Sequence, residues 1–514
     1  MPRFVHFMPD QVALQVRYPA DAPDSEKEKM RTALFAEVKR KRSSQTVEIT
    51  ESPTMRWQKA SRSVKASLGT GARKPPPVKG VNLEAASLAE MEIVNPDQSP
   101  CHCEFPAITG LGHQQAEWLN FVRKLEDVRL GLTGLDAKWE VVTLNWLTSG
   151  AQHGQGTGGP ATRPVPYRGE RIAEKPAFTL LGDLSKGAGV TVVILDTAHA
   201  MHDLAQAYYQ WTHHPLVEHP LVQSLLNPET GKLHMTYAPM QFLASSEGYR
   251  LEEHTYRMPD HGLFAAGLIN TIAPEAGLEL IEVLNPYGVG TLESILWGFQ
   301  QALSRPGPLV INCSLCLNAP YDQNHDGFED FAGLSKADRA WLMESGGKVI
   351  KAYADMLFSQ GSLVVAAAGN EWNGIDQEKQ PPARYPAAFP SVLGVGALDR
   401  SDQVADYSNQ SDRPRGAGAL ALGGEAGEDN GILGVYLGEF PDAATPSPHP
   451  GWAWWAGTSF ATPVVSGLVA AQLGAQPNAT AWDAYDAVTH NLTLVKKLPS
   501  QNEEDIFDKV KQSV

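Results

Sequence analysis

Gly457-Thr458-Ser459-Phe460-Ala461-Thr462-Pro463 is the stretch whose residue types suit covalent chemistry. Gly457 allows a sharp turn without a Cβ clash. Ser459 then falls where the first N–H groups of a helix are unpaired and the helix dipole is positive, a good place for an anion to form. Pro463 is tolerated if it falls in the first turn. Alone, the stretch reads equally well as a cap opening a core helix. A nucleophilic serine also needs a base, an orienting acid and an oxyanion donor. Three other segments offer these. Asp196 ends the run Val190–Leu195, where a carboxylate can be buried and fixed. His261 opens His261-Gly262-Leu263-Phe264-Ala265-Ala266-Gly267, so its imidazole can take a proton on one nitrogen while the other bonds an acid. Asn370 ends Leu363–Gly369 and carries an amide able to donate to an oxyanion, with Gly369 permitting close backbone approach. Singly these are a helix-capping aspartate, a capping histidine and a turn asparagine.

The elements that must position them form a regular series. Apolar runs at 190–195, 278–284, 309–315, 363–368 and 392–397 alternate with helical patterns such as 292–303 and 337–358. Continuous apolar strands alternating with helices imply a parallel sheet covered on both faces. Such sheets put their chemistry at the C-terminal ends of the strands, where Asp196 and Asn370 fall. Behind Ser459, small residues (Ala461, Ser466, Gly467, Ala470, Ala471) mixed with Val464, Val465, Leu468 and Val469 describe a helix buried on nearly all sides.

The order Asp, His, Ser, with the oxyanion asparagine between His and Ser, resembles the subtilisin-like serine proteases. The likeness covers roughly residues 175–480. It rests on Val193–Thr197, His261-Gly262 with Ala265-Ala266-Gly267, Ala366–Asn370, Tyr385–Pro390 leading to Gly394–Ala397, and Gly457–Pro463. The resemblance implies an α/β fold, a doubly wound and mostly parallel sheet, and the strand and helix patterns of the first 150 residues add a separate α+β N-terminal domain. It implies a catalytic triad of Asp196, His261 and Ser459, with Asn370 in the oxyanion hole. It also implies that Ser314, Leu315 and Cys316 pair with an extended peptide, and that Ala368, Gly369 and Glu371 line the substrate cleft. The sequence departs from the family's pattern at Ala198, where glycine is usual, at Phe264, where a second histidine is usual, and at Cys316, where glycine is usual. The expected activity is serine endopeptidase hydrolysis through an acyl-enzyme. The alternative is a protein of this fold that holds peptides without cutting them. Glu371 and the acidic turn 322–330 lead us to expect Lys or Arg before the scissile bond.

Length and composition frame these expectations. The chain has 514 residues, enough for two or more domains, and a net charge of -16 that argues against nucleic acid or an anionic membrane as partner. Residues 1–19 lack a secretory signal pattern, and no apolar run approaches a membrane span. With only four cysteines (Cys101, Cys103, Cys313, Cys316), the setting expected is reducing and cytoplasmic, with structural thiols rather than a zinc site. We divide the chain into an N-terminal domain (1–150), a flexible linker (151–170), a peptidase domain (171–495) and a tail (496–514). Many such proteases carry an N-terminal prosegment that blocks the active site, so 1–150 is read as an inhibitory prosegment or a recognition domain. The histidine-rich segment between Asp196 and His261 reads as a surface insertion. No cofactor is required. Asp322, Asn324, Asp326 and Asp330 resemble the first half of a calcium loop, but the twelfth position is Gly333, so calcium competes with a solvated acidic turn.

Overall fold

The computed structural model describes residues 7–17, 48–50, 101–104, 107–109, 138–150, 161–168, 186–199, 218–226, 231–238, 256–317, 336–376, 380–411, 418–425, 430–442, 450–476, 478–491 and 495–496, with isolated positions at 23–36 and at 122. Thr70–Gly80 and Asp322–Asp330 lie outside the described residues, as does most of the Trp118–Leu125 pattern.

Five strands come from the first 150 residues: β1 (Phe7–Arg17), β2 (Glu48–Thr50), β3 (Cys101–Glu104), β4 (Ala107–Thr109) and β5 (Lys138–Gly150). The remainder supplies β6 (Val165–Pro166), β7 (Thr191–Thr197), β8 (Leu233–Thr236), β9 (Gly277–Leu284), β10 (Val289–Thr291), β11 (Val310–Cys313), β12 (Leu315–Leu317) and β13 (Leu363–Ala367). It continues with β14 (Val392–Leu398), β15 (Ala419–Leu422), β16 (Ile432–Val435), β17 (Trp452–Trp455) and β18 (Val495–Lys496).

The main sheet runs β18-β15-β14-β13-β11-β7-β9-β8. Every pair is parallel except β15 with the edge strand β18. Val192, Val193, Ile194 and Leu195 of β7 are all fully buried, as a strand with helices on both faces requires. The helix Thr458–Ala475 packs across β11, β13, β14 and β15 and against the helix His261–Ile272. The helices Leu292–Leu303 and Lys336–Ser359 pack on one another and on strands of the same sheet. The expected α/β, doubly wound architecture is therefore present.

A second sheet runs β10-β5-β1-β4-β2, with β3 on β1 and β12 on β5. Its hydrogen-bonded pairs are antiparallel, and β5 joins the N-terminal strands to the peptidase region. The third sheet, β16-β17-β6, includes part of the expected linker. Val165 and Pro166 pair with Trp454 and Ala453, and Thr162 accepts from Trp455 Nε1 at 2.8 Å through its carbonyl. Residues 161–168 are thus held in the fold, because an aromatic-rich strand offers them both a backbone edge and an indole donor. The histidine-rich segment is likewise not wholly a surface insertion. Leu233–Thr236 is the edge strand of the main sheet, and His199 is buried. Among the described residues, no helix is long and apolar enough to cross a membrane.

Candidate active site

Asp196 stands at the C-terminal end of β7 and His261 at the first turn of its helix, and tertiary packing brings the two together. His261 Nδ1 and Asp196 Oδ1 are 2.7 Å apart, both residues fully buried. The same oxygen accepts from the backbone N–H of Thr197 at 2.7 Å, which fixes the carboxylate. Thr197 also locks the helix in place: its hydroxyl accepts from Gly262 N at 3.2 Å and donates to Pro259 O at 3.0 Å. Gly262 is required by this approach. A Cβ there would lie 2.3 Å from Thr197 O and 2.9 Å from Asp196 Cβ. The imidazole packs edge-on to Trp455, with ring centroids 5.7 Å apart, and against Phe460 at 5.3 Å. Phe264 fills the rest of this aromatic cluster, 4.6 Å from Phe460 and 5.4 Å from Trp455. An imidazole there would put polar nitrogens into an apolar site, which accounts for the departure at this position.

Ser459 is the second residue of the helix Thr458–Ala475 and is fully buried. Pro463 is the sixth residue of that helix rather than part of its first turn. Lacking an N–H, it leaves the Ser459 carbonyl without its helical donor. Ser314 Oγ supplies the missing bond at 2.7 Å. Asn312 Nδ2 in turn donates to Ser314 Oγ at 3.0 Å, and Ser466 Oγ donates to Asn312 Oδ1 at 3.0 Å. A buried polar chain therefore ties the serine's backbone to the segment between β11 and β12. Asn312 and Ser466 escaped the sequence reading because each looks like an ordinary polar residue in a core element. The Ser459 hydroxyl donates to Ser314 O at 3.4 Å, while His261 Nε2 has no hydrogen-bond partner among the described residues. In this conformation the serine-to-histidine bond is not made.

Asn370 follows β13 and is oriented from its oxygen side. Its Oδ1 accepts from Thr458 N at 2.9 Å and from Thr458 Oγ1 at 2.8 Å. The backbone donor fixes which end of the amide is oxygen, so Nδ2 points the other way. Gly369 has φ +113, and a Cβ there would lie 2.6 Å from both Asn409 Nδ2 and Glu371 Oε2. Glu371 lies 3.1 Å from Arg384 Nη1 and accepts from Asn409 Nδ2 at 2.5 Å. Its charge is matched inside the protein, because Arg384 is only 4% exposed. The expectation of Lys or Arg specificity from Glu371 loses its basis here; the acidic turn that shared it lies outside the described residues. Ser314, Leu315 and Cys316 are all buried, as is Ala368. Cys313 and Cys316 are free thiols, and burial, reinforced by Glu371, pushes Cys316 up to about 12. Both therefore stay neutral thiols.

A second pair lies crosswise to the first. His199 Nε2 and Asp260 Oδ1 are 2.9 Å apart, at 6% and 0% exposure. Asp260 Oδ1 also accepts from Leu437 N at 2.7 Å. This pair is not visible in the sequence, since His199 and Asp260 each stand outside the motifs. Among the described residues there is no group of three or more His, Cys, Asp or Glu suited to a metal. The candidate calcium set Asp322, Asn324, Asp326 and Asp330 lies outside them.

Comparison with known proteins bears on the whole region. The chain is 27% identical over 245 residues to the minor extracellular protease Epr of Bacillus subtilis (strain 168), covering 45% of this chain and 30% of that one. It is 28% identical over 246 residues to subtilisin E of the same organism, covering 46% and 51%. It is 29% identical over 219 residues to an intracellular serine protease of Paenibacillus polymyxa, covering 41% and 52%. The match thus spans about half or less of the length of these relatives. Among solved structures, a lanthipeptide protease is similar at 18% identity and a TM-score of 0.40, over 64% of this chain and 90% of that one. The patellamide maturation protease PatA is similar at 23% identity and a TM-score of 0.35, over 59% and 85%. The model of the Subtilase family matches residues 187–507, more than half of the sequence and the full span of the site above, and the chain belongs to that family.

Proposed function

We propose that the chain is a serine endopeptidase acting through Asp196, His261 and Ser459, and that its N-terminal strands hold it in check. The observation that carries the catalytic reading is the 2.7 Å bond between His261 and Asp196 beside a serine at a helix N-terminus. Ser459 Oγ turns from Ser314 O to His261 Nε2, loses its proton to that nitrogen and attacks the peptide carbonyl. Asp196 stabilises the resulting imidazolium, which then protonates the leaving amine. Asn370 Nδ2 and a backbone N–H near Ser459 donate to the tetrahedral oxyanion. Water repeats the cycle on the acyl-enzyme. The substrates are peptides or proteins.

Restraint rests on where β5 lies. Its last residues run antiparallel to two strands at once. Leu147, Thr148 and Ser149 pair with Thr291, Gly290 and Val289, and Thr148, Ser149 and Gly150 pair with Leu317, Cys316 and Leu315. A peptide adding to β12 needs the same backbone edge, so β5 and substrate exclude one another. On this reading 1–150 is the restraining domain, 151–170 the connection and 171–495 the peptidase domain. The test is to express wild type and Ser459→Ala side by side and follow chain length with time. Self-cleavage between about 147 and 166 in wild type alone is expected. A wild-type chain that stays full-length and fully active defeats the restraint. Absence of Ser459-dependent labelling by a fluorophosphonate probe leaves the non-cutting, peptide-holding alternative.

A further inference from the structure

The register of β5 on β12 fixes how any extended peptide meets the nucleophile. Gly150 stands opposite Leu315 and Ser149 opposite Cys316. A peptide in the same register has its next residue opposite Ser314, whose carbonyl accepts from Ser459 Oγ at 3.4 Å. That residue therefore offers its carbonyl to the serine and lies just before the scissile bond. Residues opposite one another in an antiparallel pair project to the same face, and alternate residues share it. Its side chain accordingly enters on the face of β12 that carries the side chains of Ser314 and Cys316.

That face is closed by the end of β13. Ser314 Oγ reaches the Ser459 carbonyl, and Cys316 Sγ lies 3.7 Å from Ala367 O. The side chain of that peptide residue would enter between β12 and the end of β13, a slot that the thiol bridges through its contact with Ala367. Cys316 is fully buried there. Past the slot, Glu371 is paired with Arg384 at 3.1 Å and with Asn409 at 2.5 Å, so its charge does not select a cation.

We infer that Cys316 makes this a protease for small, uncharged residues (Gly, Ala or Ser) just before the scissile bond, because its Sγ fills the slot and Arg384 neutralises the carboxylate beyond it. The inference rests on the catalytic reading above. It is tested on the full chain expressed as wild type, Cys316→Gly and Cys316→Ala and allowed to cleave itself between about 147 and 166. A peptide library varied before the scissile bond reports selectivity, and a fluorophosphonate probe reports Ser459 independently of the slot. Wild type should cleave after Ala, Ser and Gly. Cys316→Gly should raise kcat/KM after Leu or Phe relative to Ala by on the order of 10²-fold, with Cys316→Ala intermediate. Ser459-dependent probe labelling should be retained in all three. Labelling with wild-type cleavage after Phe, Leu or Lys at rates equal to Ala overturns the selectivity and leaves the serine chemistry standing. Loss of both labelling and cleavage overturns the catalytic reading and the selectivity with it.

Discussion

Two buried histidine–carboxylate pairs cross between the segment from the end of β7 to His199 and the start of the His261 helix. Asp196 bonds His261 at 2.7 Å, and His199 bonds Asp260 at 2.9 Å. The two are alike in chemistry, burial and distance. Their surroundings differ. Asp196 takes a second bond from the neighbouring Thr197 N, and its histidine faces the helix that carries Ser459. Asp260 takes its second bond from Leu437 N, far away in the sequence, so the other pair ties three segments together. On the proposed reading, a histidine–carboxylate pair serves as a base only where a third group stands by to give it a proton. Elsewhere the same bond is a brace.

Substitutions can break this division of labour. The largest effect is expected on the catalytic side. Ser459→Ala or His261→Ala should reduce turnover by on the order of 10⁶-fold, a magnitude taken over from subtilisin itself. Asp196→Asn should cost about 10⁴-fold by analogy with other serine triads, with little loss of stability, measured by steady-state hydrolysis and by thermal unfolding. Asp260→Asn and His199→Ala should show the reverse. Each weakens the bond that joins three segments, so unfolding free energy should fall by about 3 kcal/mol while kcat of the folded fraction changes little. If Asp260→Asn loses activity as Asp196→Asn does and keeps its stability, the contrast between the pairs collapses.

Asn370→Ala sharpens the catalytic side. It should lose 10²–10³ in kcat with little change in KM, about 3–4 kcal/mol. A change confined to KM would remove Asn370 from the oxyanion hole.

A third carboxylate supplies the smallest effect. Glu282 stands opposite Asp196 in the β7–β9 register. Burial pushes its carboxyl up to about 7, against a weaker downward pull from a backbone bond to Ala238. The folded state then holds a proton that the unfolded chain releases at its ordinary acidic pKa. Stability from this group is fully present below about pH 4.5 and is lost as pH rises to about 7, by up to about 3 kcal/mol. Glu282→Gln should remove that slope from the pH dependence of urea unfolding. An unchanged slope would mean that this carboxylate is ionised in the fold.

Much of the site was legible because its pieces are local. Asp196, His261, Asn370 and Ser459 each sit at the end of a strand or the start of a helix, and beside His261 and Asn370 the junction is marked by a glycine, Gly262 and Gly369, whose Cβ the fold has no room for. The apolar runs also located the strands of the central sheet, since burial on both faces leaves a continuous apolar signature.

What the amino-acid order determined by itself was this set of junctions and their sequence along the chain. Only the tertiary structure decided that Ser314 rather than a backbone N–H satisfies the carbonyl left open by Pro463. It alone matched Glu371 with Arg384, and laid β5 between β10 and β12. Each of these joins groups by their distance in space, and the free energy comes from satisfying a buried donor, acceptor or charge. A residue's type says that it will need such a partner, but not which distant segment the packing will bring to it.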